Sequence, residues 1–184
     1  MASSTRSLVI AGVITGFVLV AIAKPQTEPA AAPARSSAVP ERIDIPALEL
    51  KAPLMELGLT GSGEVELPPY EKPKVAGWYK GSAVPGDGGA SVIIGHVDTK
   101  TAPAVFYRLK ELRKGADVKV LRSDGKTISY TVDSVQQVAK ERFPASSVYT
   151  GEGLRLVTCG GTFDWSEHEY EDNIIVYASR TDRT

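Results

Sequence analysis

Short β-prone apolar runs, separated by turn residues, dominate the chain from about residue 41 onward. The runs are Arg42–Ile45, Ala76–Tyr79, Ser91–Gly95, Asp117–Leu121, Thr127–Val132, Gly153–Thr158 and Asn173–Ala178. Their length and spacing predict an all-β barrel or sandwich. Asp124-Gly125 stands between the fourth and fifth of these runs and supplies the pair that a tight hairpin turn with positive φ requires.

One segment carries a helical pattern instead. Pro103 suits the first turn of a helix in which Val105, Leu109 and Leu112 share one face, and the pattern ends near Lys114-Gly115. We therefore predict a short crossover helix over this segment. The chain shows no internal repeat of solenoid or propeller type, which leaves a single barrel-like domain.

The first 24 residues contain an uncharged, mostly apolar stretch, Ser7 to Ala23, between Arg6 and Lys24. As a helix it would cover about 25 Å, at the short end of what a bilayer core requires. The segment is predicted to be a signal anchor with an extracellular domain beyond it. Cleavage near Ala23, which would release the protein, is the alternative.

Residues 25–40 are rich in Pro and Ala and favour extended conformers, so they are predicted to form a tether. The β-rich domain then occupies residues 41–184. A formal net charge of −1 argues against nucleic-acid binding. With one cysteine and two histidines, neither an internal disulfide nor a structural zinc site is expected, and no cofactor is implied.

Candidate chemistry centres on Cys159, the only cysteine, which ends the apolar run Leu156-Val157-Thr158. A lone cysteine is commonly a small packed hydrophobe. Exported proteins, however, seldom retain an unpaired thiol. His96 ends another apolar run, Val92–Gly95, and if the two strands are neighbours, both side chains converge as a nucleophile and its acid/base partner.

These residues resemble two signatures of the sortases, the cysteine transpeptidases of Gram-positive cell surfaces. Leu156-Val157-Thr158-Cys159 is similar to their Thr-Leu-x-Thr-Cys motif, with Arg155 in place of the first Thr. The segment His96-Val97-Asp98-Thr99 is similar to the catalytic-histidine segment, and the order of membrane segment, tether and β domain also matches. The resemblance implies a closed β-barrel of about eight strands with one or two short helices.

The segment Cys159 to Asp164, together with Tyr170–Asn173, further resembles the actinobacterial branch called class F. By this resemblance Cys159 attacks a sorting signal of Leu-Pro-x-Thr-Gly type to form a thioester, and His96 protonates the leaving amine. An amine acceptor, such as a peptidoglycan precursor branch, then resolves the thioester, which anchors a protein to the cell wall. The sorting motif, the acceptor and any calcium dependence stay open.

One departure concerns the arginine that sortases place at the start of the strand after the cysteine. The apolar register of the last strand puts Asn173 at that position. The oxyanion donor is therefore expected to be Asn173 with a backbone N–H near Gly160, or else Arg108 or Arg142 reaching in from elsewhere. Asn173 is neutral and would stabilise the charge less than a guanidinium.

Three further residues are candidates for contacts around the pair. Asp98 either orients His96 through a hydrogen bond or forms a turn. Thr158 and Gly160, which flank the cysteine, are candidates for substrate or oxyanion contacts, and Gly160-Gly161 would allow close substrate approach.

Two other functions compete with this hypothesis. An exported L,D-transpeptidase would carry a Ser-x-Gly-Cys-x-Arg pattern, which the chain lacks. A tethered binding or adhesion module, with Cys159 merely buried, would need neither a reactive thiol nor His96.

Overall fold

The computed structural model describes residues 37–181. Eight strands form the fold: β1 Pro40–Ile45, β2 Leu50–Leu57, β3 Ala76–Tyr79, β4 Ala90–Ile94, β5 Asp117–Arg122, β6 Thr127–Ala139, β7 Gly153–Asp164 and β8 Glu169–Arg180. One α-helix, α1, spans Ala145–Tyr149, and 3₁₀ turns occupy Pro46–Leu48, Leu109–Glu111 and Lys140–Arg142. The predicted membrane segment and most of the predicted tether lie outside the described residues. Within those residues, no helix is long and apolar enough to cross a membrane.

The strands close into a barrel in the order β1-β2-β3-β4-β7-β8-β6-β5. Two neighbouring pairs are parallel, β2 with β3 and β4 with β7, and the other pairs are antiparallel. The predicted closed barrel of about eight strands is therefore confirmed. The order matters for function because it places β7, which carries Cys159, between β4 and β8.

The hairpin between β5 and β6 turns at the predicted Asp-Gly pair. Gly125 has a φ of +78°, and its N–H donates to the carbonyl of Arg122 at 3.0 Å. The Arg122 N–H donates in turn to the carbonyl of Lys126 at 2.9 Å. A backbone conformation that favours glycine is thus what closes this turn.

The helix predicted from Pro103 is wrong. Only Leu109–Glu111 form a single 3₁₀ turn there, although Val105, Leu109 and Leu112 are buried as their spacing indicated. The Phe106 N–H donates to the carbonyl of His96 at 3.0 Å. In a helix that begins at Pro103 this N–H would bond within the helix, but here it bonds to the histidine segment instead.

Strand limits also differ from the sequence pattern. Strand β2 is not among the predicted runs, and it carries Pro53 in its middle although proline is unusual inside strands. Strand β7 continues to Asp164 and β8 begins at Glu169, so together they form a long hairpin that extends beyond the barrel. Cys159 therefore lies inside a strand, next to the point where the shorter neighbour β4 ends.

Apolar side chains lie on both faces of β4, β7 and β8. Leu154 and Leu156 of β7 belong to the cluster that fills the barrel. Val157 belongs to a second cluster, which includes Val92 of β4 and Val148 of α1. Because side chains alternate along a strand, this second cluster defines an apolar outer face, and Cys159 lies on the same side as Val157.

Candidate active site

The parallel pairing of β4 and β7 brings the histidine and the cysteine to the same place. The register joins Ile94 to Val157, and the Gly95 N–H donates to the Val157 carbonyl at 3.1 Å. The pairing ends there, so His96 and Cys159 each follow the last paired residue of their strand by two positions and leave the same end of the strand pair. The neighbouring strands that the sequence reasoning required are therefore present.

His96 is 8% exposed and is held by a loop that the sequence did not point to. Its Nε2 lies 2.6 Å from the carbonyl oxygen of Pro68, in the connection between β2 and β3. The ring of Tyr70 stacks on the imidazole, with centroids 4.2 Å apart and planes inclined by 18°. No local sequence pattern predicts these contacts, since Pro68 and His96 are 28 residues apart in the chain.

Cys159 is a half-buried free thiol. Burial raises the pKa of Cys159, the nearby charges of Glu169 and Asp98 raise it further, and Lys140 opposes them by lowering it. At neutral pH the resting group is accordingly a thiol rather than a thiolate. A base beside it is needed for nucleophilic attack.

Lys140 and Glu169 form an ion pair, with Nζ and Oε2 2.5 Å apart, and act on the pKa of Cys159 in opposite directions. We expect Glu169→Gln to lower the pKa of Cys159, because it removes a negative charge and leaves Lys140 unneutralised. Lys140→Gln should raise it. The pH dependence of iodoacetamide alkylation at this single thiol measures both shifts.

The comparison is internally controlled, since the two variants each remove one charge from the same ion pair. The alkylation midpoint should move to lower pH in Glu169→Gln and to higher pH in Lys140→Gln. Movement of both midpoints in the same direction would contradict this account of the electrostatics.

Asn173 lies directly opposite Cys159 on β8. Directly opposite residues of an antiparallel pair share a face, with Cβ atoms about 4.5–5.5 Å apart. The side-chain amide of Asn173 is half-buried and is therefore a close neighbour of the thiol. Its role as an oxyanion donor stays a prediction.

The two alternative arginines lie in different surroundings. Arg108 is bound to Glu111 through Nε at 2.9 Å and Nη2 at 2.8 Å, and its Nη1 donates to the Leu48 carbonyl at 3.4 Å. Arg142 is exposed in the 3₁₀ turn after β6. Asn173 is thus the candidate that the strand register places beside Cys159.

Asp98 connects the histidine segment to the β7–β8 hairpin. Its carboxylate accepts a hydrogen bond from the hydroxyl of Tyr170, and this bond, with burial, raises the pKa of Tyr170 to about 12. Asp98 also forms an isolated bridge with Pro103. The carboxylate therefore tethers the loop after His96, whereas Nε2 of the imidazole contacts Pro68.

The two glycines after the cysteine allow close packing within the hairpin. A Cβ on Gly160 would lie 2.6 Å from Cγ1 of Ile174. Gly161 has a φ of +80°, and a Cβ there would lie 2.4 Å from the Asp172 carboxylate. The β7–β8 register shifts between Gly160 and Phe163, and this shift requires that neither Gly160 nor Gly161 has a side chain. A contact with substrate at Gly160 stays a prediction.

Thr158 points away from the thiol. It lies opposite Ile174, a residue of the barrel core, and is 3% exposed. Because adjacent strand residues face opposite sides, the Thr158 side chain enters the barrel while Cys159 faces outward.

Arg155, at the position where the sortase signature has its first Thr, anchors α1 over the apolar outer face. Its Nε donates to the Ser147 carbonyl at 3.1 Å, and its guanidinium lies 4.8 Å from the ring centroid of Tyr177. Burial lowers the pKa of Arg155. The side chain joins β7, β8 and α1 at the end of the outer face farther from Cys159.

A half-buried thiol on β7 and an imidazole just after β4, its parallel neighbour in a closed eight-stranded barrel, form a site suited to a thiol enzyme. The family model described as "Sortase domain" matches residues 43–181. The chain therefore belongs to the sortase family.

Solved structures agree with this fold. Sortase A from Corynebacterium diphtheriae, a lid mutant, is 23% identical with a TM-score of 0.60, over 83% of this chain and 75% of that one. Sortase C-1 from Actinomyces oris is 25% identical with a TM-score of 0.58, over 78% and 73%.

Sortase C1 of GBS Pilus Island 1 is 21% identical, with a TM-score of 0.58 over 78% of this chain. The match covers 64% of the length of that protein. No curated protein sequence matches the chain.

Proposed function

We propose that the chain is a cysteine transpeptidase that cleaves a C-terminal sorting signal and transfers the acyl group to an amine. The observation that supports the proposal is the parallel pairing of β4 with β7, because His96 follows the end of β4 by two residues and Cys159 follows the last paired residue of β7, Val157, by two. A merely structural cysteine would not require an imidazole at this position. Membership of the sortase family supports the same reaction class.

The reaction takes two acyl-transfer steps. His96 takes the proton of the Cys159 thiol, the sulfur attacks the carbonyl carbon before the scissile bond, the C–N bond breaks, and His96 gives that proton to the leaving amine. An acceptor amine then attacks the thioester and gives a proton to His96, the C–S bond breaks, and His96 returns the proton to the sulfur. Water in place of the amine gives hydrolysis as a side reaction.

A sorting signal of the Leu-Pro-x-Thr-Gly type is the proposed substrate, and membership of the sortase family supports it. Val92, Val157 and Ile175 are buried beneath α1, so they hold the strands that carry the site in place rather than contact the peptide. The amide of Asn173, with a backbone N–H near Gly160, is proposed to bind the oxyanion.

The finer assignments rest on sequence features. Cys159-Gly160-Gly161 and the Tyr170–Asn173 segment support a place near the class F sortases. The apolar stretch Ser7–Ala23 supports an N-terminal anchor, which would hold the catalytic domain outside the cell near the cell wall. A peptidoglycan precursor branch is the proposed acceptor.

The test is turnover of fluorogenic sorting-signal peptides by the purified chain in the presence of an amine. We expect cleavage, an amine-linked product and blockage of both by prior alkylation of Cys159. The alternative, a tethered binding module, predicts an unreactive thiol and no cleavage of any peptide in a panel that varies the first three motif positions. That result would refute the transpeptidase.

A further inference from the structure

The connection between β2 and β3 touches the catalytic imidazole at two points. The Pro68 carbonyl lies 2.6 Å from Nε2 of His96, and Tyr70 stacks on the ring at 4.2 Å. Tyr70 is itself 62% exposed, so its packing against His96 is not a result of burial in the barrel core. The β2–β3 connection thus contacts the imidazole directly, although it belongs to neither β4 nor β7.

The partner of Nε2 decides where the ring carries its proton. A peptide carbonyl oxygen only accepts hydrogen bonds, so Nε2 must be the donor and must carry hydrogen. A neutral imidazole has a single N–H, which leaves Nδ1 as the basic atom. When the ring is protonated, the added proton resides on Nδ1.

The local sequence makes this carbonyl a rigid acceptor. The ring of Pro68 restricts its own φ, and Pro69 restricts the ψ of Pro68 to the extended region. The orientation of the carbonyl is therefore largely set by covalent geometry. Little conformational entropy is lost when it binds the imidazole.

We propose that the Pro68 carbonyl is the positioning partner of His96, and that Tyr70, stacked on the face of the imidazole, keeps Nε2 directed at that carbonyl. Together they fix the Nε2–H tautomer, so Nδ1 is the atom that gives a proton to the leaving amine and takes one from the acceptor. This inference rests on the proposed transpeptidase function. Pro68 and Tyr70 are positioning residues, because they act through His96.

The tautomer can be read without substrate. The chain has two histidines, so ¹⁵N-labelled protein shows two imidazole spectra, and His168→Gln assigns them. For the neutral imidazole of His96 we expect a protonated Nε2 and an unprotonated Nδ1. In Tyr70→Ala both tautomers should be populated, whereas Tyr70→Phe should keep the wild-type spectrum.

Kinetics supply the second measurement. Tyr70→Ala should lower kcat about tenfold with KM little changed, a part of the 10²–10⁴ that a positioned general acid/base contributes. Tyr70→Phe should retain the wild-type rate because stacking needs no hydroxyl. Pro69→Ala should behave as Tyr70→Ala does, and Pro73→Ala, in the same loop, serves as its control.

Three results would overturn the inference: an Nδ1–H tautomer in the wild type, an unchanged tautomer and kcat in Tyr70→Ala, or faster turnover in Tyr70→Ala. The last would identify the loop as an inhibitory lid. If the wild type cleaves no sorting peptide, the proposed function fails. The substrate-free spectra still decide whether Pro68 fixes the tautomer.

Discussion

Cys159→Ala is expected to abolish cleavage and transfer completely, because the chain has no second thiol to form the thioester. Incubation of the wild type with a sorting-signal peptide, followed by acid quenching, should trap one acyl group per chain by mass spectrometry. The variant should show no added mass. A Cys159→Ala chain that still produced the amine-linked product would exclude Cys159 as the nucleophile.

His96→Ala should lower kcat by about 10²–10⁴, the range for loss of a general acid/base. The proton that the leaving amine needs would then come only from water. The other histidine provides a matched control, since His168 lies in the exposed turn of the β7–β8 hairpin. His168→Ala should retain wild-type turnover, and equal losses in both variants would indicate damage to the fold rather than to catalysis.

Asn173→Ala is expected to lower kcat by about 10²–10³, with little change in KM, if its amide binds the oxyanion. Asn173 is the cross-strand partner of Cys159, so its side chain is next to the carbon under attack. Asn173→Asp should be at least as damaging, because a carboxylate accepts hydrogen bonds and repels the developing charge. Asn173→Arg should preserve activity, since a guanidinium is the stronger donor.

The control for this series is Gln136→Ala. Gln136 carries an amide on β6, lies opposite Ile175 and is exposed. It should leave steady-state rates unchanged. Wild-type kcat in Asn173→Ala, together with a loss in Arg142→Ala, would transfer the oxyanion role to Arg142.

Local pattern identified most of the barrel strands and both members of the thiol–imidazole pair. Strands such as β4 and β7 combine β-branched residues with sharp boundaries, which single-sequence reasoning recognises. The Asp124-Gly125 turn was equally plain, because its conformation depends on two adjacent residues. These features are determined by neighbours in the chain.

Tertiary contacts override local preference in two segments. The segment after His96 has helical spacing, yet its backbone donors bond to the histidine segment, as Phe106 does. Strand β2 contains Pro53 and was missed, although pairing with β1 and β3 completes the barrel there. Val105, Leu109 and Leu112 share the buried side as their spacing predicts, and the backbone hydrogen bonds decide that the segment is not a helix.

The surroundings of the proposed catalytic pair, His96 and Cys159, also depend on tertiary contacts. The residue types at His96 and Cys159 were sufficient to predict a nucleophile and its acid/base partner, because only a few side chains perform that chemistry. Pro68 and Tyr70 contact the imidazole and Lys140 lowers the pKa of the thiol, yet no local sequence pattern identifies these three residues. They act on the site because barrel closure brings distant loops and strand ends to the outer face, and hydrogen bonding, stacking and charge operate over distances in space rather than along the chain.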